Sequence, residues 1–179
     1  MTGPAGTAQP MGQAQREFFG KYKGQVVDNQ DPLQKGRLQI VVPQVLGEAP
    51  VWALPCVPYA GSGLGLYTMP ETGTGVWIEF EAGDPSYPIW TGCFWGAGDI
   101  DAADATPDVK FLRTRKATIR IDDTTGEILI ENDSGTSITL TSDKVVIHGA
   151  AVHQEASGGR NTALTAASFK VNDGNLEVL

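Results

Sequence analysis

From Thr118 onward the chain alternates in the smallest units a β-strand can use. Ile119 and Ile121 are separated by one polar residue, and so are Ile128 and Ile130, Ile138 and Leu140, and Val145 and Ile147. A period of two places each pair on one face of an extended strand and is incompatible with a helix. Asp122-Asp123-Thr124-Thr125-Gly126 and Asn132-Asp133-Ser134-Gly135 separate the pairs as tight turns. Phe169 with Val171 and Leu176 with Val178 repeat the theme around Asn172-Asp173-Gly174. Two inward side chains per strand over residues 118–179 cannot enclose a core, and a segment of this size is marginal even when well packed. Copies must bury their stripes against one another. Threefold symmetry closes such a surface around a dry axis with no open edge. The pattern therefore predicts an obligate trimer, with Ile119, Ile121, Ile128, Ile130, Ile138, Leu140, Val145 and Ile147 facing the axis. Each would contribute roughly 1.5–3 kcal/mol on full burial. Residues 150–167, rich in Ala, Ser, Gly and Thr, are expected to form a looser loop or a thin section.

The preceding part reads differently. Residues 22–96 contain five short runs of strand type, at 23–28, 36–42, 51–56, 75–81 and 88–94, cut apart by Gly, Pro, Asn and Asp. Leu38, Ile40 and Val42 share one face of the second run, and Val76, Ile78 and Phe80 share one face of the fourth. These six are the expected core. The chain has 22 Gly and 11 Pro, which favours many short strands over long helices. Five strands of this length predict a small closed barrel. In the Asn29-Gln30-Asp31-Pro32 turn, Asp31 is placed to bond its own downstream backbone. The long, Gly- and Pro-rich loop 57–74 carries Tyr59, Leu64, Leu66, Tyr67 and Met69, which predicts packing or contact with a partner. Residues 1–21 are expected to be a flexible arm, ending in a short helical turn where Phe18 and Phe19 plug the domain. Residues 97–117 are expected to be a linker, acidic at first. Its cluster of Lys110, Arg113, Arg115 and Lys116 is read as a solvated face opposite acidic neighbours.

Several function classes are disfavoured. The net charge is −8 and residues 22–96 carry three Lys/Arg against seven Asp/Glu, so specific nucleic-acid binding is not expected. No leader pattern is visible and no segment approaches the ~20 apolar residues of a membrane span, so assembly in a bacterial cytoplasm is the expectation. Cys56 and Cys93 form no framework and are expected to be reduced and buried. Gly61-Ser62-Gly63-Leu64-Gly65 lacks the Lys-Ser/Thr of a phosphate loop. Glu79 and Glu81 share a strand face but lack a cleft of aromatic platforms. No Gly-x-Ser-x-Gly elbow occurs, and His148 and His153 are unsupported as triad members. The expectation is a protein that is not an enzyme and has no cofactor and no metal.

The ordered motifs resemble those of the spike family of contractile tails. They run Tyr22-Lys23-Gly24-Gln25-Val26, Asp31-Pro32, Gly36-Arg37-Leu38-Gln39-Ile40-Val41-Val42-Pro43, Trp52-Ala53-Leu54-Pro55, Pro58-Tyr59-Ala60-Gly61, Pro70-Glu71-Thr72-Gly73-Thr74-Gly75-Val76 and Phe80-Glu81-Ala82-Gly83-Asp84 followed by Pro85. The family includes phage baseplate assembly protein V and the valine-glycine repeat protein G of type VI secretion. The resemblance implies an all-β chain: a five-stranded OB-fold barrel at 22–96, then a trimeric, intertwined β-helical needle at 118–179. It implies a structural spike of a phage tail or contractile injection particle. Such a spike joins the hub at the end of the tube to the tip and makes transient contact with a target membrane when sheath contraction drives it through. Some members end in His-x-His motifs that bind iron. This chain carries none at its end. Leu176, Val178 and Leu179 suggest a blunt apolar tip instead, suited to a cap of the proline-alanine-alanine-arginine type. The alternative is an OB-fold module that binds an oligonucleotide or oligosaccharide; an envelope-degrading enzyme is a third reading.

Overall fold

The computed structural model describes residues 16–173 and 175–178, and of Glu177 the backbone only. Leu179, expected at the tip, and most of the N-terminal arm lie outside the described residues. The protein is all-β. Among the described residues there is no α-helix, only a 3-10 turn at Glu81–Gly83. Two compact units meet between Asp99 and Ile100.

The first unit holds β1 (Tyr22–Asp28), β2 (Leu38–Val42), β3 (Gly47–Pro55), β4 (Ala60–Gly61), β5 (Leu64–Gly65), β6 (Gly75–Phe80) and β7 (Pro88–Phe94). Five of these close a barrel in the order β1-β2-β3-β7-β6, the OB-like architecture, while β4 and β5 pair as a separate small hairpin. All barrel neighbours are antiparallel except β3 and β7, whose parallel pairing of Leu54 with Ile89 and Pro55 with Trp90 seals the ring. Closure leaves the barrel no free sheet edge. Val26, Leu38, Ile40, Val42, Ala53, Val76 and Ile78 are at most 1% exposed, with Phe80 and Trp90 beside them. Trp90 Nε1 satisfies its one donor on the Gly36 carbonyl at 3.1 Å.

Two motif positions have direct physical reasons. Gly24 lies inside the barrel wall, where a Cβ would come 2.9 Å from Ile78 Cγ1 and 3.0 Å from the Val41 carbonyl oxygen. Asp31 organises the β1–β2 turn. Its carboxylate accepts the backbone N–H groups of Leu33 (3.0 Å), Lys35 (2.7 Å) and Arg37 (3.2 Å). It also takes Nε and Nη2 of Arg37, at 3.0 and 2.7 Å. The Asp31 side chain is 2% exposed, and Arg37 lies over the Trp52 ring at 5.0 Å.

Three sequence expectations need correction here. Residues 16–21 form no helical turn, and Phe18 and Phe19 do not act as one plug. Phe18 packs on Tyr22 and Phe80, each at 6.1 Å between ring centres, whereas Phe19 is exposed. The Phe18 N–H bonds the Gly83 carbonyl at 2.8 Å. Gly83 has φ +80, and a Cβ there would meet the Phe19 ring at 3.0 Å. Second, β3 begins at Gly47 rather than near Val51, with a register shift in its pairing with β2 between those two residues. Third, Cys56 and Cys93 are free but exposed rather than buried.

The second unit contains two antiparallel sheets. Strands β8 (Val109–Arg113), β9 (Ala117–Asp122), β10 (Glu127–Asn132), β11 (Ser137–Leu140) and β12 (Val145–His148) pair in sequence order. Strands β13 (Ala151–Ala156), β14 (Arg160–Thr165), β15 (Phe169–Val171) and β16 (Leu176–Val178) do the same. The stretch 97–117 is thus not a linker throughout, because β8 pairs with β9 over five residues. Residues 150–167 are a regular hairpin, with Ala151 to Ala156 paired against Thr165 to Arg160. Asp122 and Asn132 build the turns foreseen for them. Asp122 Oδ1 accepts from the N–H of Thr124 (2.9 Å), and Asn132 Oδ1 from those of Ser134 (3.1 Å) and Thr136 (3.0 Å).

Candidate trimerisation surface

Register converts the paired residues into continuous rows. Directly opposed residues in an antiparallel sheet lie on the same face. Leu112 opposes Ile119, Ile119 opposes Ile130, Ile130 opposes Ile138 and Ile138 opposes Ile147. A second row runs Lys110, Ile121, Ile128, Leu140 and Val145. Both rows lie on one face of the β8–β12 sheet, two residues apart on every strand. Seven of the eight expected axis residues are 36–61% exposed, and Ile128 is half-buried.

The opposite face is covered over β8–β10, although Val146 at its β12 end is 41% exposed. Phe111, Arg120 and Leu129 form a row there and are each partly covered, while Thr118 is buried. Asp104 receives Arg113 at 2.8 Å and Arg120 at 3.3 Å, and Arg120 also reaches Asp122 at 3.1 Å. The Arg113 guanidinium beside Asp104 holds that carboxyl below the usual carboxylate range against the opposing effect of burial, and Arg120 adds to the effect. Burial works against ionisation of Asp122, but the Thr124 and Thr125 N–H groups and Arg120 outweigh it and its pKa is lowered. Lys110 pairs with Asp123 and Lys116 with Asp133, so these basic residues complement acidic neighbours. Lys110, Arg113, Lys116 and Arg120 therefore find partners within the subunit, whereas Ile119, Ile121, Ile130, Ile138 and Ile147 stay exposed. A contiguous exposed apolar face of this kind is the type of surface that marks an interaction site.

The β13–β16 sheet has the same polarity. Val152, Leu164, Phe169 and Val178 oppose one another in one row, with Gln154, Thr162, Val171 and Leu176 in the next. The reverse face carries His153, Ala163 and Lys170. Leu176 and Val178, expected at a tip, are thus members of a sheet face. Leu112, Val152 and Leu164 escaped the sequence reading, although Phe169 in the same row as the last two did not. Leu112 sits inside the basic cluster, and Val152 and Leu164 lie singly among small polar residues.

Two family models match the chain. A type VI secretion system/phage-baseplate injector OB domain matches residues 22–95, which is the barrel. A phage baseplate V C-terminal trimerisation domain matches residues 109–177, from the start of β8 into β16. The chain belongs to the phage baseplate V spike family. No curated protein matches it. As a baseplate V spike the protein has a structural role in a phage-type tail, and its C-terminal domain supports a homotrimer. The apolar rows fall within the matched trimerisation domain.

The other residues weighed in the sequence do not assemble a site. Glu79 is bound by Lys21 at 2.7 Å, while Glu81 lies in the 3-10 turn. Gly61 and Leu64 pair across the tip of the small β4–β5 hairpin. His148 opposes Ser137, on the face away from Ile147.

Proposed function

We propose that three copies of this chain form the central spike of a contractile tail or injection particle. Ile119, Ile121, Ile128, Ile130, Ile138, Leu140, Val145 and Ile147 of each copy meet their symmetry mates around a common dry axis. Leu112, Leu176 and Val178 join the same buried surface, so that the apolar end is part of the shaft. The barrels attach the trimer to the hub at the end of the tube. The far end carries a cap of the proline-alanine-alanine-arginine type, and sheath contraction drives the whole through the target envelope. The observation that carries this reading is the pair of rows, apolar but for Lys110 at one end, left exposed on a sheet whose basic residues already have acidic partners. Covering the exposed half of each ladder residue is worth ~1 kcal/mol, repeated along every strand.

The test is genetic and visual. Producing cells whose only copy carries Ile130→Asp and Ile138→Asp are expected to yield no particles with a spike in electron micrographs, and no killing or injection. Normal, active particles from that strain would refute the reading.

A further inference from the structure

We infer that the β4–β5 hairpin and the groove beneath it form a second contact between copies, barrel to neighbouring barrel; this rests on the trimeric spike proposed above. Residues 49–70 are a run of 22 without a single Asp, Glu, Lys or Arg, in a chain of net charge −8. Within that run Tyr59, Leu64, Leu66 and Tyr67 are 51–75% exposed. They do not sit on a loose loop: Ala60 pairs with Gly65 and Gly61 with Leu64, and the Leu66 N–H bonds the Tyr59 carbonyl at 2.9 Å. The hairpin walls a groove of about 390 Å³ whose floor includes Val57, Met69 and Trp90. Among the described lining residues Lys35 alone is charged. A held-in-place, charge-free surface with tyrosines and a methionine has the composition of an interface core rather than of a solvated loop.

The identity of the occupant follows from charge and tethering. Three barrels of one trimer carry identical charge, and residues 22–96 hold three cations against seven anions. Copies therefore repel one another over most of the barrel, and the run 49–70 is where they can touch without that cost. The trimerisation domain begins at residue 109, a short connection after β7 ends at Phe94. That connection keeps the barrels at an effective concentration of order mM. A knob and a groove on the same subunit suit a head-to-tail ring, in which each hairpin enters the next copy and three copies close the circle.

Hydrogen–deuterium exchange on the full chain, with the mass measured in parallel, tests the assignment. Segment 57–69 is expected to exchange about tenfold more slowly in the wild-type trimer than in an Ile130→Asp/Ile138→Asp monomer. A Leu64→Glu/Leu66→Glu variant is expected to keep the trimer mass and lose the slowing. A trimer whose segment 57–69 exchanges as in the monomer, or is unmoved by Leu64→Glu/Leu66→Glu, overturns the barrel contact alone. A wild-type mass of one subunit overturns the trimer and this contact together.

Discussion

The two units are made of the same material and reach opposite solutions. Both are mainly antiparallel, both alternate apolar and polar side chains, and both use Asx-type turns. In the barrel the sheet curls until β3 meets β7, and Leu38, Ile40, Val42, Val76 and Ile78 finish with no exposure at all. In the β8–β12 sheet the strands stay open, and the equivalent isoleucines keep roughly half of their surface. The difference lies in what the chain supplies beyond alternation. The barrel has a bulge in β1, another in β2–β3, a Gly in the wall at 24, and a Trp to fill the interior. Such irregularities bend a sheet onto itself. The pairings β9–β10, β10–β11 and β11–β12 run without a register shift. Nothing in its register bends this sheet onto itself.

The sharpest way to break this comparison is to charge the open sheet. Ile130→Asp combined with Ile138→Asp places adjacent carboxylates in the middle of one row, each costing several kcal/mol in a buried interface. Sedimentation is expected to fall from three times the 19.0 kDa subunit mass to one, while near-UV circular dichroism of the barrel persists. A trimer that survives would remove the contrast between the units. Next in size, Ile40→Ala should cost the barrel about 2–5 kcal/mol in denaturant titrations followed by Trp fluorescence, with the mass unchanged. Smaller is the effect of Asp31→Asn. The Arg37 guanidinium, opposed by burial and reinforced by three backbone N–H groups, holds the Asp31 carboxyl well below the usual range. A depressed folded pKa gives stability that is complete above the unfolded value of about 3.9 and is lost as pH falls through the folded one. The variant should therefore melt lower at neutral pH, and its deficit should shrink on acidification below about pH 4. Lys116→Ala marks the bottom of the scale: its pair with Asp133 lies at the surface, and the change in melting should correspond to less than about 0.5 kcal/mol.

Much of this architecture was legible because backbone and side chains carried the same message. The run Leu38, Ile40, Val42 alternates cleanly and is buried in that alternation, and Asp31 bonds its own downstream N–H groups as its type suggests. Legibility failed where hydrogen bonding alone makes the strand. Ala151–Ala156 and Arg160–Thr165 carry almost no apolar period, yet six consecutive pairs form. Strand β8 hides because Lys110 and Arg113 dominate its composition, although Leu112 stands opposite Ile119. Arg37 as the partner of Asp31 was invisible, since five residues of turn separate them and only the fold brings the guanidinium back. The Phe18-Phe19 pair misled through proximity: the neighbours meet different surroundings, and only Phe18 packs against the core.

The uninterrupted rows of the β8–β12 sheet have an implication for how such shafts vary. Each strand contributes the same two side chains to the same face, and each turn is self-contained. Inserting or deleting one hairpin lengthens or shortens the rows by two steps of about 4.8 Å while leaving every remaining register intact. The length of the apolar face is thus quantised in whole hairpins.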